Sequence, residues 1–98
     1  MIKHVVMWKV KTSEHKQNEL SKMKMALESL KGKIPQIREL EVGIDYAQTE
    51  ASRSDIVLNS AFASLKDLEI YQNHPEHKKV VALIRTLSSE KRVVDYIL

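Results

Sequence analysis

Residues 2–10 alternate in two interleaved sets, with Ile2, His4, Val6, Trp8 and Val10 on one and Lys3, Val5, Met7 and Lys9 on the other. Successive strand side chains point to opposite faces, so this is a strand with one continuous apolar face and a second face that is apolar at its centre. Such a strand needs cover on both sides.

The spacing then turns helical over 13–31, where Leu20, Met23, Leu27 and Leu30 form one stripe and Gly32 is placed to end the helix. Past Pro35, Leu40, Val42, Ile44 and Tyr46 alternate with Glu39, Glu41, Gly43 and Asp45, the pattern of a half-buried strand. A polar loop is expected from Ala47 to Ser54, and a third strand from Asp55 to Ala63, with Ile56, Leu58 and Phe62 opposite Val57, Asn59 and Ala61. Ser64 and Asp67 match a capping box opening a helix that ends near Tyr71. Pro75 breaks that helix and starts another running to about Leu87, with Val80, Ile84 and Leu87 on its apolar stripe. Arg92 to Leu98 closes the chain as a strand.

The order βαββααβ is that of the α+β, ferredoxin-like split βαβ fold: a four-stranded antiparallel sheet with helices on one side. At 98 residues the expectation is a single domain, 1–98. Val5, Met7, Val93 and Ile97 lie on alternation sets opposite to Val6, Trp8, Val94 and Tyr96, so neither face of the outer strands is wholly polar. Which set meets the helices is open at this level. A bare apolar face needs a partner, and a homodimer through the sheet is expected.

Several classes of function are excluded. Cysteine is absent, which removes disulfides, thiolate catalysis and cysteine-bound metal. Two glycines cannot build a phosphate-cradling loop. Sixteen basic against 13 acidic residues give a net charge of +3, and the scattered lysines read as solvated faces without a nucleic-acid role. The topology also fits the RNA-recognition module, but the third strand offers Ile56, Val57, Leu58, Asn59 and Ala61 where that module stacks bases on aromatics. Lysines interrupt the first ten residues too early for a signal peptide, and no apolar run approaches 18 residues, so a cytoplasmic protein without membrane contact is expected.

The stretch Tyr71-Gln-Asn-His74-Pro75-Glu76-His77 gathers a phenol and two imidazoles where one helix gives way to the next. These side chains move protons near neutral pH, and a one-turn offset leaves room for Tyr71 and His77 to converge on one small ligand. The same pair also reads as two polar groups satisfying each other in a core. His4 fits a pocket or a core histidine, and His74 fits a helix-entry residue whose ring satisfies free backbone donors. His74 and His77 lack a third ligand and the His-Glu-x-x-His spacing of zinc sites, so neither metal nor cofactor is expected. His15 reads as solvated, and Met23 and Met25 as core or flank.

Lys3-His-Val-Val-Met-Trp-Lys-Val-Lys11, Val42-Gly43, Ser54-Asp-Ile-Val-Leu58, Phe62, the segment 71–77 and Val93-Val-Asp-Tyr96 together resemble the stress-responsive A/B barrel (Dabb) family over nearly the whole chain. The most specific piece is His-Pro-x-His combined with the Lys-His strand. The resemblance implies a ferredoxin-like subunit whose sheet pairs with that of a second subunit in a dimeric α/β barrel. It implies no single function. Some plant members are known only as stress-associated proteins, and one member is a cyclase that closes a linear polyketide by aldol condensation.

Carried over from that cyclase, the resemblance marks His4, Tyr71 and His77 as the catalytic candidates. His77 would be the general base acting α to a carbonyl, Tyr71 the donor to the developing enolate, and His4 an orienting group. Asp95 is a candidate for fixing the histidine's tautomer. Trp8, His74 and Asp55 complete the candidate ligand-binding set with Asp95. Asp55 stands where the cyclase has a further histidine, and Trp8 puts an indole where a smaller aliphatic would leave room for a substrate tail. A related barrel group oxidises haem or polyphenols, but its histidine or asparagine cannot be placed here. Two readings follow: a stress-associated module binding a small organic molecule, and a cofactor-independent lyase or cyclase. An open cavity with Tyr71 and His77 hydrogen-bonded would favour the enzyme; a cavity filled by Trp8 would favour the module.

Overall fold

The computed structural model describes residues 1–47 and 51–98; within the loop expected over 47–54, Gln48 to Glu50 lie outside the described residues. The elements are β1 (Ile2–Val10), α1 (Lys16–Ser29) with a 3-10 turn at Leu30–Gly32, β2 (Ile37–Ile44), β3 (Ile56–Phe62), α2 (Leu65–Asn73), α3 (Pro75–Leu87) and β4 (Ser88–Ile97). The sheet is antiparallel with strand order β2-β3-β1-β4, the ferredoxin-like arrangement.

Register settles which face meets the helices. Val6 pairs with Leu58 on one side and Val93 on the other, and Trp8 with Ile56 and Lys91, so the set containing Ile2, His4, Val6, Trp8 and Val10 faces α1–α3. These residues are buried together with Leu20, Met23 and Leu27 of α1, Leu58 and Phe62 of β3, and Ile84 of α3. Burying one such side chain contributes about 1.5–3 kcal/mol, which makes this layer the main source of stability. The outer face carries Val5, Met7, Val57, Val94 and Tyr96, paired as Met7↔Val57 and Val5↔Val94. Val93 and Ile97 therefore share a face with Val6 and Trp8.

Two strands depart from expectation. β2 starts three residues earlier than the Leu40 alternation suggests, because a register shift between Ile37 and Glu39 returns Ile37 to the side of Leu40 and Val42. It also stops at Ile44, leaving Tyr46 95% exposed. β4 begins at Ser88 rather than Arg92: the last helical residue of α3 passes directly into a polar Ser-Ser-Glu-Lys run that pairs with the end of β1 through a bulge between Lys9 and Val10. It is an edge strand with nine of its ten residues exposed.

The helix break is local chemistry. The proline ring disfavours helical backbone at the preceding residue, and His74 is extended at φ −68°, ψ 136°. His74 Nδ1 accepts from the Glu76 N–H at 3.1 Å, capping α3, as Ser64 Oγ caps α2 by accepting from the Asp67 N–H at 3.1 Å.

Candidate functional site

A cavity of about 370 Å³ lies between α3 and the sheet. α3 supplies His77, Val80, Val81, Ile84 and Arg85; α2 supplies Tyr71 and Gln72; β1 supplies His4, Val6 and Trp8; and β4 supplies its first four residues and Val93. The α3 residues are spaced i, i+3, i+4, i+7 and i+8, one face of a helix. The volume is that of a small organic ligand. Trp8 forms part of the wall and leaves the space open.

Three polar residues stand along this space. His4 is 5% exposed, and its Nδ1 lies 2.5 Å from Asp95 Oδ1 on the neighbouring strand, its register partner. A carboxylate only accepts, so Nδ1–H donates and the orientation of the ring is fixed. His77 behaves likewise: its Nδ1 is 3.1 Å from the Gln72 carbonyl, which fixes the same tautomer. Burial, chiefly, holds the His77 imidazole below its ordinary pKa; the Gln72 carbonyl opposes this, and His4, Lys91 and His74 act in the same direction as burial.

Tyr71 sits between them. Its ring centroid is 4.4 Å from that of His77 and 6.0 Å from that of His4, and Phe62 packs against it at 4.9 Å. The residue is fully buried, and burial pushes its phenol well above the ordinary value, so it keeps its proton. The hydroxyl has no hydrogen-bond partner among the described residues. The contact with His77 is ring against ring and not a hydrogen bond, so the pair does not satisfy itself. A buried hydroxyl left in this state costs about 1–3 kcal/mol.

The other candidates divide. Asp95 joins the site through His4. His74 does not line the cavity; its ring is used as the α3 cap. Asp55 is also elsewhere: 3% exposed, it accepts from the Val10 N–H at 2.7 Å and pairs with Lys16 Nζ at 2.9 Å, tying the end of β1 to the start of α1. Gln72, Val81, Arg85 and Lys91 line the cavity without having been singled out from sequence. The α3 positions were within reach, since they lie on the helical face that carries His77. Among the described residues no cluster of three or more His, Cys, Asp or Glu is positioned to hold a metal ion, and no helix is long and apolar enough to cross a membrane.

Comparison with solved structures gives full-length likenesses. A dimeric protein of ferredoxin-like fold from Bacteroides fragilis superposes with a TM-score of 0.88 at 32% identity, covering 99% of this chain and 95% of that one. A dimeric ferredoxin-like protein from Thermobifida fusca gives 0.84 at 20% identity, covering 99% and 90%. A hydroxynitrile lyase from Passiflora edulis gives 0.85 at 19% identity, covering 99% and 92%. No curated protein matches the chain. The family model of the stress responsive A/B barrel domain matches residues 2–98. With its sheet, its helix order and that match over nearly its whole length, the chain belongs to the stress responsive A/B barrel domain (Dabb) family.

Proposed function

We propose that this protein is a homodimer whose subunits each bind a small, largely apolar organic molecule carrying a carbonyl or hydroxyl oxygen in the cavity beneath α3. One observation carries the reading: the buried Tyr71 hydroxyl, in a residue that lines the cavity, has no hydrogen-bond partner among the described residues. The apolar wall of Val6, Trp8, Leu58, Val80 and Ile84 suits a hydrophobic body, and the phenol supplies the donor that orients it. The dimer rests on the outer sheet face, where Met7 is 39% exposed, Tyr96 45% and Val94 53%, and on the dimeric state of its relatives of like fold.

A second reading has one specific support. His77 is held neutral with Nε2 free to accept a proton, beside a phenol that stays protonated. That is a base and a donor suited to a cofactor-independent lyase or cyclase: His77 takes the proton α to a carbonyl while Tyr71 hydrogen-bonds the oxygen on which charge develops. The same fold carries a hydroxynitrile lyase in Passiflora edulis, at an identity that speaks for the scaffold alone.

Thermal-shift screening with aromatic aldehydes, ketones and phenols tests binding. At a hundredfold excess over Kd a ligand stabilises by about 2.7 kcal/mol, a shift of many degrees for a chain this size. Oxygen-bearing compounds should raise the melting temperature, and a panel without a single shift would remove the proposal. Incubation of any hit with hydrogen exchange at its α-carbon monitored by NMR tests the lyase reading.

A further inference from the structure

The mouth of the cavity carries two cations whose place suggests what the ligand bears at its outer end. Arg85, in the last turn of α3, and Lys91, in β4, both line the cavity and are exposed. Neither makes an ion pair among the described residues, so both charges are available to a ligand at the mouth. Lys91 pairs across the sheet with Trp8 on the helix-facing side, and its charge reaches His77. Among the described residues Glu90 is the acid that lines the same rim; it pairs with Lys9, on the alternation set opposite to Lys91. Two cations against one carboxylate leave the mouth with a net positive charge, above a wall that is apolar apart from a few polar groups such as His4, Tyr71 and His77.

We propose that the ligand is an organic anion: an apolar body with an inner carbonyl or hydroxyl at Tyr71 and an outer carboxylate held between Arg85 and Lys91. This rests on the binding reading above and adds the charge class. A basic residue in a last helical turn also complements the helix dipole, so Arg85 alone would say little. Lys91 has no such role, since it lies in a strand, and its presence on the other wall of the same mouth makes a two-sided anion clamp. Exposed charges of this kind act through a screened field, which makes salt a direct probe.

Benzoylformate and 2-naphthoate, each set against its uncharged methyl ester, provide the test, with Kd measured by calorimetric or NMR titration at low and high salt. In the native protein each acid should bind about tenfold more tightly than its ester, and the ratio should fall as salt rises. In the Arg85→Gln/Lys91→Gln variant the ratio should collapse to about one, while the conservative Arg85→Lys/Lys91→Arg variant should keep most of it. Both positions are exposed, and an unchanged circular dichroism spectrum and melting temperature would confirm that the fold is retained. Esters that bind as well as acids, or an acid preference that survives in the Gln variant, would overturn the anion proposal and leave the binding reading standing. Failure of both acids and both esters to bind would overturn both.

Discussion

His4 and Asp95 face each other across β1 and β4 as register partners, with Nδ1 and Oδ1 2.5 Å apart. The contact joins a buried strand to the exposed edge strand and fixes the tautomer of an imidazole in the cavity wall. Asp95→Ala should cost about 1.5 kcal/mol in urea denaturation, near the lower end for a charge-assisted bond because the carboxylate is partly solvated. Ligand affinity should fall with it, since the freed ring no longer holds one orientation.

Tyr71→Phe removes an unsatisfied hydroxyl and keeps the ring packing against Phe62 and His77. The ligand-free variant should be as stable as the parent or up to about 1 kcal/mol more stable, because a desolvated polar atom has been deleted. A loss of several kcal/mol would show that the hydroxyl is bonded in solution.

The fold was legible because its apolar periods switch cleanly, and β1 gave both of its faces. β4 was half legible: Ser88 to Lys91 have no apolar signature, since on an exposed edge they are held by backbone pairing with β1 and not by burial. β2 was misplaced because a bulge changes parity, and Ile37 falls out of step with Leu40 in the sequence while sharing its face in space. At the site, Tyr71, His77 and His4 come from three elements that meet, which spacing alone could only permit. Asp55 was singled out by position in a family pattern. Its partners, the Val10 N–H and Lys16, depend on how β1 ends and α1 begins and have no sequence signal.

Asp55→Ala is accordingly expected to damage the fold and not the site. Removing a buried carboxylate that accepts from a backbone N–H and pairs with Lys16 should cost about 2–4 kcal/mol. Ligand affinity of the remaining folded protein, measured well below the melting temperature, should be unchanged.

His77 links stability to pH. Its folded pKa is depressed below the ordinary 6.5 by burial, so in the window between the two values the unfolded chain binds more protons. Stability from this group is fully present above 6.5 and is lost as pH falls through that window. Denaturation midpoints from pH 7.5 to 5 should therefore drop less steeply in His77→Gln than in the parent.

Met7→Asp places a charge at the centre of the outer sheet face, next to Val57 and away from the cavity. Light scattering on a sizing column should show a dimer for the parent and a monomer or aggregate for the variant. A parent that is monomeric across the micromolar range would refute the assignment of this face.

The Tyr71 hydroxyl is the centre of the account, and a matched ligand pair reads it directly. Binding of 2-acetylnaphthalene and 2-ethylnaphthalene, which differ mainly by the carbonyl oxygen, should be compared by NMR titration in the parent and in Tyr71→Phe. The parent should favour the ketone by about tenfold, the worth of one buried hydrogen bond, and the variant should show no preference. Equal affinities in the parent, or a ketone preference that persists in Tyr71→Phe, would contradict it.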